Sequence, residues 1–379
     1  MKKNSQNKIL LVGGGTGGHV VPVYNIYQFL KKADPKLKVY IVGSGSAIEK
    51  QFFADSPNYF ILKTGKFQRY LIVENIWQLA LFIYGLVQAL ILLAKIRPKI
   101  IFAKGGFVSL PIIFWARILR IPYFVHESDA VMGRANKFAA SGAKKVFTGF
   151  PAENYKSIEK KKLEFVGQII DGEVEEPKSI KFDFGFANHN PVIFITGGSL
   201  GALNINRNIF LALPELLPKY NLVHQTGAKG FPEAIEVRAK LLESMKRSYF
   251  IADFLPAIDS DDKKSAAIQK ADLIVARAGA TTIAEIALAG KPMILIPYPY
   301  ASGDHQARNA EILKRKKACD IITDRELNPD LLVRTMNKLF EDKSNMKEMA
   351  KSAKNFFPEN ALKVIGEEII NFLLEKRNQ

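Results

Sequence analysis

The chain has 379 residues, 48% hydrophobic and 24% charged, which suits two domains with full cores and excludes a disordered or collagen-like chain. One cysteine, Cys319, and five scattered histidines (19, 126, 189, 224 and 305) exclude a disulfide scaffold and argue against a metal centre built on His and Cys. The formal charge of +17 is concentrated: residues 1–170 hold 25 Lys and Arg against 9 Asp and Glu, a net of +16, and 171–379 hold 29 against 28, so the first half is expected to face something anionic, whether nucleic acid, a phosphorylated substrate or acidic lipid.

Lys2 and Lys3 precede polar residues, and the apolar run 9–12 is too short for the core of a secretory signal, so none is expected. Residues 8–12 read as a strand, followed by the loop Gly13-Gly14-Gly15-Thr16-Gly17-Gly18-His19 at the start of a helix. Glycines let the backbone approach a phosphate, and the N–H groups of a helix start favour an anion. Gly13, Gly15 and Gly18 satisfy G-x-G-x-x-G, yet a dinucleotide site also wants an acid ending the second strand. That strand, 39–42, ends in Gly43-Ser44-Gly45, so a dinucleotide cofactor is not expected.

Residues 75–94 carry no formal charge. As a helix they would span about 30 Å, the thickness of a bilayer core. Glu74, Gln78, Gly85, Gln88 and Lys95 nevertheless share one narrow stripe, and a single crossing would separate loops that serve one site. The helix is therefore read as partly packed and partly exposed. Ile76, Trp77, Leu79, Phe82, Ile83, Leu86, Leu90 and Leu93 form its broad apolar side. Some of these are expected to emerge as a patch ringed by Lys63, Lys66, Arg69, Lys95 and Arg97, suited to an anionic membrane surface.

Strand 100–102 leads into Lys104-Gly105-Gly106-Phe107-Val108-Ser109, and strand 123–125 follows. Linker composition fills 155–190, with Lys160-Lys161-Lys162 and Glu175-Glu176-Pro177. A second set of strands then begins: 192–195, which exits into Gly197-Gly198-Ser199-Leu200-Gly201, then 222–224, 273–275 and 293–296. Buried runs alternating with helices imply α/β architecture: two doubly wound domains with parallel sheets, whose ligands bind beyond the carboxyl ends of the strands. Three glycine loops at strand exits, shared between two domains, suggest phosphate handled on both walls of a cleft.

After strand 273–275 comes Arg277-Ala278-Gly279-Ala280-Thr281-Thr282-Ile283-Ala284-Glu285. Thr282 and Glu285 have capping-box spacing. The competing role for Glu285 is a carboxylate accepting hydrogen bonds from two sugar hydroxyls. Pro297-Tyr298-Pro299-Tyr300 and Gly303-Asp304-His305-Gln306 form a loop beside it. Asp259-Ser260-Asp261 matches the D-x-D of metal-dependent sugar transferases but sits in a solvated charge run, which argues against a metal there.

In this order, GGGTGGHVVP, KGGFVSLP, HESDAVMGRANK, ITGGSLGA and RAGATTIAEIALAGKPMILIPYPYASGDHQARNA resemble the MurG family from about residue 8 to the C-terminus. The resemblance implies the GT-B fold, with two Rossmann-like doubly wound domains facing a cleft. Residues 1–168 would form the acceptor and membrane side, and 169–357 the UDP-sugar side, with a C-terminal helix of about 358–379 returning to the first domain. It implies transfer of N-acetylglucosamine from UDP-N-acetylglucosamine to lipid I, the undecaprenyl-diphosphate-linked muramyl-pentapeptide, to form lipid II with inversion at the anomeric carbon. It implies no cofactor, no catalytic metal, no nucleic-acid partner, and a peripheral place on the cytoplasmic face of a bacterial inner membrane.

Carried over residue by residue, the resemblance implies His19 as the base. It places Thr16, Gly17, Gly18, Ser199, Leu200, Gly201, Ile251, Arg277, Ala280, Thr281, Glu285, His305 and Gln306 on the donor. It places Gly14, Gly15, Lys104, Gly105, Gly106, Glu127 and Asp129 on the acceptor and its diphosphate. Three departures stand out. Gly167-Gln168-Ile169-Ile170-Asp171 replaces the family's Gly-Asn-Pro-Val-Arg, Asp129 replaces Asn, and His305 replaces Gln. Losing the junction cation should weaken leaving-group stabilisation unless Arg277 or Arg308 substitutes. Two other readings stay open: another GT-B enzyme, such as a diacylglycerol glycosyltransferase or a UDP-N-acetylglucosamine epimerase, and a non-catalytic nucleotide-sugar-binding protein.

Overall fold

The computed structural model describes residues 7–54, 56–66, 72–170, 182–198, 201–255 and 263–378. The junction residue Asp171, the loop residues Ser199 and Leu200, Arg69, the Glu175-Glu176-Pro177 segment and the D-x-D at 259–261 lie outside the described residues, as does the side chain of Glu74. The chain divides into two compact units, one formed by Met1–Val174 with Pro358–Gln379 and the other by Glu175–Phe357.

The first unit contains β1 (Lys8–Gly13), α1 (Gly17–Ala33), β2 (Lys38–Gly43), α2 (Ala47–Phe53), β3 (Tyr59–Ile61), α3 (Ile72–Ile96), β4 (Ile100–Gly105), α4 (Ser109–Ile118), β5 (Tyr123–Glu127), α5 (Arg134–Gly142), β6 (Lys145–Thr148) and β7 (Leu163–Phe165). Its seven strands run parallel in the order β3-β2-β1-β4-β5-β6-β7. Strand residues alternate between faces, so Ile9 and Leu11 of β1 enter one core while Leu10 and Val12 enter the other. This is why the strands read as unbroken apolar runs rather than alternating ones.

The second unit contains β8 (Val192–Thr196), α6 (Leu203–Leu216), β9 (Asn221–Gln225), α7 (Phe231–Ala239), α8 (Glu243–Lys246), β10 (Tyr249–Ala252), α9 (Lys263–Lys270), β11 (Leu273–Ala276), α10 (Ala280–Leu288), β12 (Met293–Leu295), α11 (His305–Arg315), β13 (Asp320–Ile321), α12 (Pro329–Glu341) and α13 (Lys343–Lys354). Its parallel sheet has the order β10-β9-β8-β11-β12-β13. In each sheet the order reverses once, between β1 and β4 and between β8 and β11. Loops beyond the carboxyl ends at such a reversal are where open α/β sheets bind ligands.

The last helix, α14 (Ala361–Asn378), belongs to the first unit. Its Ala361, Leu362, Ile365, Ile369, Phe372 and Leu373 share a core with Val20, Val23, Ile26 and Leu30 of α1. Phe372 meets Phe124 edge-on at 5.8 Å. Gly366 is needed where α14 crosses α1, because a methyl group there would stand 2.3 Å from the Phe29 ring.

Helix α3 turns Gln78, Gly85 and Gln88 of its sparse polar stripe towards the protein, and Lys95 outward. Gln78 Oε1 accepts the Lys66 N–H at 2.7 Å, and Gln88 Oε1 accepts the Lys63 N–H at 3.0 Å. Trp115 of α4 donates its indole N–H to the Leu86 carbonyl at 2.8 Å. Of the expected apolar side, Leu93 is buried, and Phe82, Leu86 and Leu90 are half-buried. Ile76, Trp77, Leu79 and Ile83 are exposed, and Tyr84, Val87 and Ile91 join them; Ile76 is 70% and Trp77 67% exposed. Lys63, Lys66, Lys95 and Arg97 are exposed as well. A helix with its glutamines against protein and its isoleucines outward reverses the usual amphipathic arrangement.

Candidate active site

The first reversal brings together the loops after β1 and β4. Lys104 at the end of β4 is buried and donates to Ser128 Oγ. Burial pushes its ammonium pKa down to about 8, against the opposite pull of Glu127 and Asp129. Gly106 has a positive φ of 80°, and a methyl group there would lie 3.1 Å from the Gly14 carbonyl and 3.8 Å from His19 Nε2. Only glycine therefore lets these two loops touch. His19 lies in the first turn of α1, with Nδ1 3.0 Å from Thr16 Oγ1. Loss of water around the ring, followed by the Lys104 charge, lowers its pKa to about 3.

Glu127 and its loop form a self-contained knot. Its Oε1 accepts the Asp129 N–H at 2.9 Å; its Oε2 accepts Gly133 N–H and Asn136 Nδ2, each at 3.0 Å. Burial, then the Asp129 charge, raises its pKa despite these bonds. Glu127 thus shapes the loop that carries Ser128 and Asp129. Neighbouring His126 is held as the Nε2–H tautomer by the Gly167 carbonyl at 2.9 Å, and buried Gln168 donates to the Ser128 carbonyl at 2.5 Å. The Gln168 that replaces the family's asparagine has a structural role here.

A residue absent from the sequence reading organises the first glycine loop. Glu49, fully buried on α2, accepts five hydrogen bonds: Gly15 N–H, Ser44 Oγ and Ser46 Oγ on Oε1 at 2.7, 2.7 and 2.9 Å, and Gly45 N–H and Tyr59 Oη on Oε2, both at 2.7 Å. Burial alone would raise its pKa; the bonds from Tyr59, Ser44, Gly15 and Gly45 outweigh that and hold it below the ordinary carboxylate value. The Gly15 amide, assigned from sequence to a diphosphate, is thereby committed to an internal carboxylate. A hint lay in Ser46-Ala47-Ile48-Glu49, which has capping-box spacing.

At the second reversal, the helix after β11 starts at Gly279 and has no side-chain cap. Ala280 and Thr281 sit in its first turn, and Glu285 lies a turn beyond, so the Thr282–Glu285 capping box does not form. Glu285 Oε1 instead pairs with Lys264 Nζ of α9 at 2.5 Å, and its Oε2 is enclosed without a hydrogen-bond donor among the described residues.

Arg277, offered as a replacement cation, is already committed. It pairs with Asp324 at 2.5 Å, donates to the Ile296 and Pro297 carbonyls at 3.1 and 3.2 Å, and lies over the Tyr298 ring. Arg308 pairs with Glu311 on the surface of α11. Lys264 is the cation that directly contacts Glu285, and nothing in the sequence singled it out. Gln306 Oε1 accepts the Tyr298 N–H at 2.9 Å, leaving its amide group to donate, and His305 Nδ1 faces the Ser302 carbonyl at 2.9 Å. Gly201 closes the first loop of this unit against the Thr226 carbonyl. Ile251 lies in β10 at the sheet edge, with β9 and β8 between it and β11.

Two all-parallel doubly wound units, with His19, Lys104, Arg277 and Glu285 near the two strand-order reversals, have the architecture of the GT-B class. The glycosyltransferase family 28 N-terminal domain matches residues 9–148 and the family 28 C-terminal domain matches 192–365. The chain belongs to the MurG family of these UDP-sugar transferases. It is 33% identical over 368 residues to UDP-N-acetylglucosamine–N-acetylmuramyl-(pentapeptide) pyrophosphoryl-undecaprenol N-acetylglucosamine transferase 2 of Bacillus cereus, covering 96% of this chain and 99% of that protein. The transferase of the same description from Pediococcus pentosaceus is 32% identical over 350 residues, 92% of this chain and 94% of the relative. The crystal structure of Acinetobacter baumannii MurG, 24% identical, shares the fold with a TM-score of 0.73 over 97% of this chain and 99% of that one.

Proposed function

We propose that this chain transfers N-acetylglucosamine from UDP-N-acetylglucosamine to lipid I, forming lipid II with inversion and without a catalytic metal. Glu285 is the observation that carries the donor half of this reading. One of its oxygens is ion-paired and the other is a buried acceptor without a donor among the described residues, one turn into the helix after β11. An unsatisfied buried acceptor is costly, and a ribose hydroxyl satisfies it. Breaking the sugar–phosphate bond leaves charge on UDP, which the uncapped start of α10 and the loop after β8 oppose. Gln306 donates its amide to the donor sugar.

In the acceptor half, Lys104 with Gly105 and Gly106 receives the diphosphate, and His19 takes the proton of the attacking hydroxyl. A free-state pKa near 3 makes His19 a weak base. An anionic diphosphate beside Lys104 offsets the ammonium's field and raises the imidazole towards the working range. The decisive experiment is turnover with both substrates. UDP release should require lipid I and yield a glycosylated lipid; conversion of the UDP-sugar without acceptor would mark an epimerase, and binding without turnover a non-catalytic protein.

The same reading places the protein peripherally on the cytoplasmic face of the inner membrane, through the outward side of α3. Exposed Ile76, Trp77, Ile83, Val87 and Ile91 beside Lys63, Lys66, Lys95 and Arg97 suit an acidic lipid surface. Each basic residue there contributes about 1 kcal/mol. In liposome co-sedimentation, binding should need anionic lipid, weaken with salt, and fall when Trp77 and Ile83 become serine. Equal binding to neutral vesicles, or none to either kind, would rule this attachment out.

A further inference from the structure

We infer that Glu49 is the positioning residue of the acceptor half-site: an internal anion around which the first glycine loop is built, and through which His19 is held in place. The inference rests on the reading of His19 as the base. In a phosphate-binding glycine loop the backbone N–H groups point at a ligand. Here the Gly15 N–H points at Glu49 Oε1, 2.7 Å away, and the carboxylate lies wholly inside the protein.

The glycines on either side fit this occupant. A methyl group on Gly14 would stand 2.6 Å from Glu49 Oε1, and one on Gly43 would stand 2.2 Å from Oε2. Both positions are glycine because a carboxylate passes there. The five donors come from three places in the chain: Gly15 in the loop after β1, Ser44, Gly45 and Ser46 in the loop after β2, and Tyr59 of β3. Every donor stabilises the ionised form, so the charge is shared among segments that would otherwise move independently.

The held loop runs directly into the candidate site. Gly14 contributes the carbonyl against which Gly106 is fitted, and Thr16 contributes both the hydroxyl beside His19 Nδ1 and the carbonyl that accepts the His19 N–H at 3.0 Å. Releasing Gly15 would loosen both contacts at once. The diphosphate is left to Lys104 and its glycines, because a second anion at Gly15 would meet the charge of Glu49.

A double-mutant cycle on the full-length enzyme tests this, with turnover, UDP affinity and thermal stability read in parallel. Glu49→Gln places an amide NH2 against existing donors and should lower kcat by about tenfold to a hundredfold, with a smaller change in UDP affinity because Arg277, Glu285 and Gln306 are untouched. Tyr59→Phe removes one donor while leaving the carboxylate, and should act in the same direction but less, which keeps the test available if the first variant folds poorly. In a His19→Ala background each change should have little further effect on kcat, because the residue being positioned is gone. Effects that multiply fully with His19→Ala, or a folded Glu49→Gln enzyme with normal kcat, would overturn the inference. Normal turnover in His19→Ala alone would instead remove the reading on which it rests.

Discussion

Replacing His19 with alanine should lower turnover by about 10²–10⁴-fold, the range removed with a general base. UDP affinity should stay nearly the same, since the change removes an imidazole and substitutes none of the candidate donor residues, neither Thr16, Gly17 and Gly18 beside it nor Arg277, Glu285 and Gln306 in the second unit. The pH profile gives a second check. Burial and Lys104 hold the His19 pKa below its ordinary 6.5, so the free enzyme carries a neutral imidazole through the physiological range. The acid limb of kcat/KM owed to His19 should therefore lie well below pH 6, and should move upward when the Lys104 charge is removed in Lys104→Met. A loss confined to acceptor KM would make His19 a binding residue.

Glu285→Ala should weaken UDP binding by about 1–3 kcal/mol, the worth of hydrogen bonds to a charged acceptor, and so raise Kd about 5- to 150-fold by calorimetry. Helix α10 should survive the change, because its start depends on Gly279 and not on this side chain. The ion pair with Lys264 is partly solvated, with side chains 27% and 15% exposed, so its loss should cost little stability. An alanine variant that binds UDP normally would refute the ribose assignment. Uridine should lose as much as UDP, since the contact is to the sugar and not to the phosphates.

The fold was legible because the central strands are buried on both faces. Residues 8–12, 39–42, 100–102, 192–195 and 273–275 announce themselves as apolar runs, and each lies within an observed strand. The strands that escaped notice, such as Tyr59–Ile61, Leu163–Phe165 and Asp320–Ile321, are short and stand at sheet edges, where partial burial leaves a mixed composition. In the candidate site, glycine loops could be read from spacing, but their partners could not. Gly14 and Gly43 owe their identity to Glu49, which is remote from the first and hidden among polar neighbours. The pairing of Lys264 with Glu285 spans 21 residues, and that of Arg277 with Asp324 is set by the meeting of β11 and β13 loops around β12. One-dimensional spacing also favoured a capping box at Thr282, where the helix had already begun two residues earlier.

Because α14 completes the first unit, the order of synthesis and the order of folding differ. The ribosome releases β1 and α1 first, yet the core that holds Val20, Val23, Ile26 and Leu30 is completed by residues 361–373, which follow the whole second unit. Residues 175–357 are contiguous and can fold while the earlier unit still waits for its last wall. A nascent chain is therefore expected to complete its second unit before its first. Chains ended before residue 358 would lack the wall that α14 gives the first unit.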